Sequence, residues 1–490
     1  MRIAFIYPPI RRNGKLPLLS QNRHFRFSSS DSVRIFPIVL ASAATYLKHE
    51  GHDVLWLDGV NERLSMEDFI DQLKYFKPDI CINETKAPIL KDHWLFLDGL
   101  KELIDTKTIL VGDHVSVYPE ESMKNCSVDF IIVKGDYDFI LKPLVDCLDN
   151  TGDMPQGIYY RDGSGEIKYS GKYKMTADLD DMPFIDRNLT KWRNYGEAYL
   201  LDRSAYILTG RGCGVSNSEI AGRCTFCIWQ FALWGGSKRL RSPKNVVDEI
   251  KILVENHGVK EVFDDNESGA VWNLDWLKEF NNEMEKAGLI GKVSISSNAR
   301  ADSFDKETCE ILRDTGYRLL KVGVESASDI TLQRINKDEK IDDIIRGIKC
   351  AKDHGLKILM TIMMGYPWET ENDAERTYEV AKDLLLYKSH MGDCLQCSLL
   401  ISYPGSPLYR QAIKNGWLNK NHKEGDYESY NMAEPLFNVD YDPMKWCNKI
   451  WKLHTHPRYL WRTFWQIKSL DDLKMLWHGA RSLLGHTIDF

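Results

Sequence analysis

Short apolar runs alternating with amphipathic stretches recur twice along the chain, and this alternation restricts the fold more than any other feature. In residues 1–150 the apolar runs fall at 3–6, 53–57, 80–82, 108–111 and 130–133, and helical patterns fill gaps such as 39–49 and 66–76. Gly51, directly after Lys48, His49 and Glu50, suits the end of the first helix. Such alternation predicts a doubly wound parallel sheet, flavodoxin-like or Rossmann-like, whose ligands bind at the carboxyl ends of the strands. Residues 151–200 break the rhythm. Asp162-Gly163 followed by Gly165 predicts a small hairpin, and residues 179–183 read as a linker. From Tyr206 the rhythm resumes with longer periods, the strands ending near Gly210, Asp265, Asn298, Glu325, Gly365 and Tyr403. Six β-α units predict a partial (β/α)6 barrel over 201–415, with its chemistry at the strand carboxyl ends. Residues 416–490 form a helical, Trp-rich C-terminal region.

Composition sets the surroundings of that fold. At 490 residues the chain exceeds one ordinary core. The net charge of −7 carries no basic excess of the kind that points to nucleic acid. The N-terminus lacks the apolar length of a signal peptide, and no uninterrupted apolar run approaches the ~18 residues of a spanning helix. A cytoplasmic setting with reduced thiols is therefore expected. Eleven cysteines, an odd number, argue against a disulfide framework and leave thiolates for metal.

Three of those cysteines, Cys213, Cys224 and Cys227, follow the first barrel strand directly. Three thiolates at a strand end suit zinc or an iron–sulfur cluster. Zinc wants a fourth ligand, and the next histidine, His257, lies beyond a whole helix. A cubane held by three thiolates leaves one iron open. Cys394 and Cys397 are three apart on a strand, face opposite sides and read as barrel packing, and the remaining cysteines read as structural.

The segment resembles the radical S-adenosylmethionine enzymes. Arg211-Gly212-Cys213-Gly214 matches the approach to their three-cysteine signature, and Phe226 is the aromatic residue before the third cysteine. Here ten residues, 214–223, separate the first two cysteines, more than is usual in the family. Later matches come in order: 262–266, 296–302, 323–328, 364–370 and 402–409. The resemblance implies a 4Fe–4S cluster on Cys213, Cys224 and Cys227. It implies S-adenosylmethionine beside Phe226, Asp265, Asn266, Ser296, Arg300, Glu325 and Ser326. Asp265 or Glu325 would pair with the methionine amine and Arg300 with its carboxylate. Reductive cleavage would give a 5′-deoxyadenosyl radical, with the electron coming from an external flavodoxin- or ferredoxin-type donor.

The N-terminal region resembles the cobalamin-binding domain that precedes many of these enzymes. Tyr7-Pro8-Pro9, Val111-Gly112-Asp113-His114 and Lys134-Gly135-Asp136-Tyr137-Asp138 carry the likeness. It implies cobalamin contacts from Tyr7, Pro8, Gly112, His114, Gly135 and Asp136, although His114 equally reads as a polar loop residue. Val39, Val111 and the aspartates replace residues that are smaller or longer in the family, and no Asp-x-His-x-x-Gly is present.

The tail runs against the net charge. Residues 446–490 hold seven Lys or Arg against three Asp, and Leu460, Trp461, Phe464 and Trp465 share one helical stripe. A basic, Trp-bearing amphipathic helix points to peripheral contact with a membrane surface and a lipid-like or small-molecule substrate. The alternative is a stripe packed on the barrel. The leading expectation is cobalamin-dependent methylation of an unactivated carbon. Radical rearrangement, cyclisation or ring contraction, with or without cobalamin, and a non-enzymatic iron–sulfur scaffold are the alternatives.

Overall fold

A computed structural model describes every residue except 18–26, 29–32, 214–223, 237, 423–424, 428–429, 431–433, 469–471, 475, 478 and 480–490. Seven strands form the first sheet: β1 (Arg2–Tyr7), β2 (Asp53–Asp58), β3 (Ile80–Glu84), β4 (Lys107–Val111), β5 (Phe130–Ile132), β6 (Ile158–Arg161) and β7 (Ile167–Tyr169). Their order is β7-β6-β5-β4-β3-β1-β2. The β2-β1-β3-β4-β5 part is parallel, the flavodoxin-like order, and its ligand edge lies where β1 and β3 diverge. The hairpin predicted at Asp162–Gly165 does form. Its two strands join this sheet, β6 running antiparallel to β5. Asp162 Oδ1 accepts the amide protons of Ser164 (2.9 Å) and Glu166 (3.0 Å), which closes the turn locally.

Helices of the first unit start where the side chains permit. Ser65 accepts the Asp68 amide at 3.0 Å to cap Met66–Phe76, and Phe69 and Leu73, one turn apart, are its buried face. The helix Ile38–His49 (α1) ends at Glu50, with Gly51 at φ +90° just beyond it.

The second sheet is β8 (Ser204–Ile207), β9 (Glu261–Asp264), β10 (Ser294–Ala299), β11 (Tyr317–Glu325), β12 (Lys357–Met364) and β13 (Cys394–Leu399), in sequence order and all parallel. This is the six-stranded partial barrel. Two of its ends differ from expectation. β8 stops at Ile207, and Gly210–Arg211 instead pair antiparallel with Arg239–Leu240. β13 stops at Leu399 rather than near Tyr403. The Leu400 amide makes one further bond, to the Met364 carbonyl, before Pro404 removes a donor and Gly405 turns at φ +95°. The helix Pro443–Trp451 packs on β13, burying Trp446, Cys447 and Ile450 and covering that edge. Cys397 Sγ meets Cys447 Sγ at 3.5 Å there, so the Cys394–Cys397 pair serves packing.

One apolar cluster runs through both units. The connecting segment ties them down. Tyr195 donates to Asp58 (2.7 Å), Lys48 pairs with Asp186 (2.7 Å), and buried Arg187 pairs with Glu249 (3.0 Å). Among the described residues no helix is long and apolar enough to cross a membrane.

Candidate functional site

The carboxyl ends of β8–β13 form a mouth that faces the carboxyl edge of the first sheet. Cys213 follows the Gly210–Arg211 pairing, and Cys224 and Cys227 lead into the helix α3 (Ile228–Ala232) after the segment outside the described residues. The loop is held by backbone. Cys227 N donates to Cys224 O (3.0 Å), Thr225 N to Ile335 O (2.8 Å), and Leu408 N to Thr225 O (3.0 Å). The three sulfurs share one electrostatic neighbourhood. Protein crowds half-exposed Cys224 closely enough that burial pushes its thiol up to about 12. Lys337 and Arg300 pull it down, and Cys213 and Cys227 push it further up. Three gathered thiols balanced by two buried cations fit an anionic iron–sulfur cluster.

Most of the predicted S-adenosylmethionine residues gather around this loop. Phe226 is half-buried within it, and Asp265 and Asn266 are buried just past β9. Asn298 Nδ2, at the top of β10, donates to the Asn266 carbonyl at 2.9 Å. Asp264, by contrast, is consumed by Thr209, accepting its amide (3.0 Å) and hydroxyl (2.6 Å). Glu325 ends β11 at φ +65°, a left-handed conformation that a non-glycine residue adopts at a cost, just after a break in strand register. Its carboxylate lies 3.5 Å from Lys337 Nζ. Ser326 donates to Glu369 at 2.6 Å, and burial pushes that carboxyl up to about 7, with Ser326 and Thr331 pulling it partly back.

Two of the predicted residues are placed differently. Arg300 is buried and committed: it donates to the Lys337 carbonyl (2.8 Å) and pairs with Asp302 (2.8 Å). Its charge lies near Cys224, but the described contacts aim its fork at the 337–339 loop. Ser296, only the third residue of β10, donates to Glu261, which also pairs with Arg318 (2.7 Å). All three sit toward the amino ends of their strands, not at the mouth.

Other residues of the site are not legible in the sequence. Lys337 is 4% exposed and sits between Glu325 and Glu339 (3.2 Å), beside Cys224. In sequence it belongs to the charge-rich run Asn336-Lys337-Asp338-Glu339-Lys340, which reads as a solvated loop. Glu267 accepts the Gly212 amide (2.9 Å) and the Trp234 indole, bracing the residue before Cys213. The Tyr366 hydroxyl is fully buried among Glu325, Glu369 and Cys224 and has no hydrogen-bond partner among the described residues. The Thr225 hydroxyl is likewise buried and unpaired. A buried polar atom left unsatisfied calls for a ligand or water, and these fit the polar end of S-adenosylmethionine.

The first sheet meets this mouth through α2 (Asp113–Val117), which packs on α3, and through Lys86, whose ammonium lies over the Trp229 ring. Tyr7, at the end of β1, donates to buried Glu84, and Pro8 is buried beside it. Gly112 has φ +125°, and a Cβ there would stand 2.3 Å from the Thr85 carbonyl oxygen, so only glycine fits. His114 is buried, with Nε2 on Glu121 at 2.9 Å and its ring edge-on to Tyr427. Gly135 makes room for an indole of this chain, because an added Cβ would lie 2.3 Å from the Trp234 ring. Asp136 pairs with Arg211 (2.7 Å) and Arg239 (2.7 Å), and Asp138 pairs with Arg211. Burial would raise the Asp136 carboxyl, but the two guanidiniums outweigh it and hold it below its usual range. The segment expected to contact cobalamin thus clamps the arginine two residues before Cys213. Among the described residues, buried groups without a hydrogen-bond partner remain along this seam: both amide atoms of Asn83, Nε2 of His93, Nε1 of Trp229 and Nε2 of Gln230. A polar, partly unsatisfied seam of this kind fits a large amide-bearing ligand.

The tail corrects one alternative. In α6 (Pro457–Trp465) the stripe does not pack on the barrel. Leu460 is 50% exposed, and Trp461, Phe464 and Trp465 are each 64% exposed. The opposite face buries Tyr459 and Thr463, and Arg462 donates to the Leu386 carbonyl (2.6 Å). Of the next apolar residues along the tail, Leu470 lies outside the described residues, while Leu473 and Trp477 are exposed.

Residues 220–381 match the model of the radical SAM superfamily, a span that includes Cys224 and Cys227 and begins just after Cys213. An uncharacterized methyltransferase of Pyrococcus horikoshii is 26% identical over 389 residues, covering 78% of this chain and 79% of the relative. The anaerobic magnesium-protoporphyrin IX monomethyl ester cyclase of Rubrivivax gelatinosus is 26% identical over 412 residues, covering 82% and 70%. The radical S-adenosylmethionine methyltransferase TsrM of Kitasatospora setae, solved with cobalamin and a 4Fe–4S cluster bound, shares the fold. Its TM-score is 0.66 at 16% identity, over 91% of this chain and 81% of that one. Residues 220–381 thus carry a radical S-adenosylmethionine domain, and that domain implies a 4Fe–4S cluster and S-adenosylmethionine as its cofactors.

Proposed function

We propose that this protein is a cobalamin-dependent radical S-adenosylmethionine enzyme that transfers a methyl group to an unactivated carbon of a small-molecule substrate. The observation that carries the reading is the opposition of two strand-end edges across one polar seam. A flavodoxin-like edge lined by Tyr7, Gly112 and His114 faces a barrel mouth lined by Cys213, Cys224 and Cys227. When bound, the cofactors supply a carbon radical by one-electron reduction at the cluster and a transferable methyl group at cobalt. The electron comes from an external flavodoxin- or ferredoxin-type donor. The chain's own residues do the rest. Lys337 holds positive charge beside Cys224 and is the group best placed for the methionine carboxylate. Asp265 and Asn266 are offered to its amine, and buried Tyr366 closes the pocket against water. Arg211 couples the seam to the cysteine loop through Asp136 and Asp138.

The test is anaerobic reconstitution with iron, sulfide and hydroxocobalamin, followed by S-adenosylmethionine and a reductant. Bound cobalamin in the absorbance spectrum, together with 5′-deoxyadenosine and S-adenosylhomocysteine by mass analysis, supports the reading. A chain that forms its cluster and 5′-deoxyadenosine but retains no cobalamin would instead favour rearrangement or cyclisation, the reading to which the Rubrivivax relative lends weight.

The exposed aromatic face of α6 supports a second element, docking on an anionic membrane surface. Trp461, Phe464 and Trp465 form one edge-to-face cluster turned to solvent, with exposed Arg458 and Lys468 nearby. Co-sedimentation with phosphatidylglycerol vesicles at low salt, lost in Trp461→Ser/Trp465→Ser, is expected. No sedimentation of the unmodified chain would end the idea.

A further inference from the structure

The outer helical layer of the barrel holds a donor cluster that the radical chemistry does not use. Cys309 lies on α4 (Lys306–Thr315). Cys350 lies on α5 (Ile341–Asp353), and His354 caps that helix. The two helices pack together. Each of the three residues brings one ligand atom within 4.8 Å of the other two. Two sulfurs and an imidazole nitrogen make a soft donor set, and Cys350 and His354, four apart, share one helix face.

We propose that Cys309, Cys350 and His354 bind a single thiophilic divalent cation of the zinc class, clamping α4 to α5. Three protein ligands leave the fourth tetrahedral position to water. The donors are already ordered. Cys309 is fully buried, and the His354 ring is oriented by Nδ1–H, which donates to the Cys350 carbonyl at 2.8 Å and leaves Nε2 as the nitrogen with a free lone pair. The site is separate in element and in chain from Cys213, Cys224 and Cys227, and the inference stands whatever reaction the mouth performs.

The experiment uses the full chain with its iron–sulfur cluster loaded, so that the mouth cysteines are occupied. Titration with Co2+ as probe should give one equivalent bound with tetrahedral thiolate absorption, displaced by Zn2+. Cys309→Ala/Cys350→Ala should lose that equivalent while keeping its cluster iron. A second readout needs no variant. Zn2+ should protect Cys309 and Cys350, and not Cys147, from alkylation as read by peptide mass. Equal Co2+ uptake by the double variant, no uptake by the unmodified chain, or no protection by Zn2+ would each overturn the proposal. A Cys309–Cys350 disulfide in anaerobically prepared chain would overturn it too.

Discussion

Replacing Arg211 by Met removes the cation that joins the two units at the cysteine loop. Its side chain is 6% exposed, and both Asp136 and Asp138 are at 0%. Asp136 keeps Arg239 at 2.7 Å. Among the described residues Asp138 has no other cation in ion-pair range, so its charge is stranded in the interior. The chain escapes by protonating it. Burial already pushes the Asp138 carboxyl up with Arg211 in place, so removing the cation pushes it further up, at a cost that falls as pH falls. A broken buried pair typically costs ~3–5 kcal/mol. Urea unfolding followed by tryptophan fluorescence should therefore show a loss of about 3–5 kcal/mol at pH 7 that shrinks at pH 5. Asp138→Asn/Arg211→Met leaves no stranded charge and should recover about 2–3 kcal/mol. Because Arg211 stands two residues before Cys213, the single variant should also lose iron faster to a chelator. A loss below about 1 kcal/mol at pH 7, an equal loss at both pH values, or no recovery in the double variant would refute the reasoning.

Cys224→Ala should abolish cluster iron and 5′-deoxyadenosine formation while leaving the circular dichroism unchanged, since the residue lies in a loop. Lys337→Met should weaken S-adenosylmethionine binding to the cluster-loaded chain about 10- to 100-fold, the worth of a charge-assisted hydrogen bond, and Lys337→Arg should recover part of it; equilibrium dialysis reads both. Glu369 keeps its proton in the fold up to about 7 against 4.5 when unfolded, so the folded state binds more protons between those values and its stability falls as pH rises through them. Glu369→Gln should remove that slope, making the variant gain up to ~3 kcal/mol on the unmodified chain between pH 4.5 and 7 in parallel melts.

What could be read without coordinates was what depends on neighbours in the chain. The helix Met66–Phe76 follows from Ser65 at its start and the Phe69–Leu73 spacing, and both hold in the structure. The two β-α series and the three cysteines after the first barrel strand are likewise local patterns. The strand ends at Ile207 and Leu399 were less legible, because a strand stops where its partner's hydrogen bonds stop, and the partner is remote in sequence. Ser296 and Arg300 show the same limit within the site. Both belong to a recognisable segment, yet register directs Ser296 to the amino end of the barrel, and the 337–339 loop takes up Arg300.

The sequence by itself determined the fold class, the order of the two units and the thiolates available for a cluster, because periodicity and spacing are carried by adjacent residues. The tertiary structure alone decided which charges meet. Lys337 comes to Cys224 across more than a hundred residues, Asp136 and Asp138 close on Arg211 from the other sheet, and the α6 aromatics turn to solvent while Tyr459 turns inward. Each of these is a contact between distant segments, and its energy depends on burial that exists only once both sheets are packed.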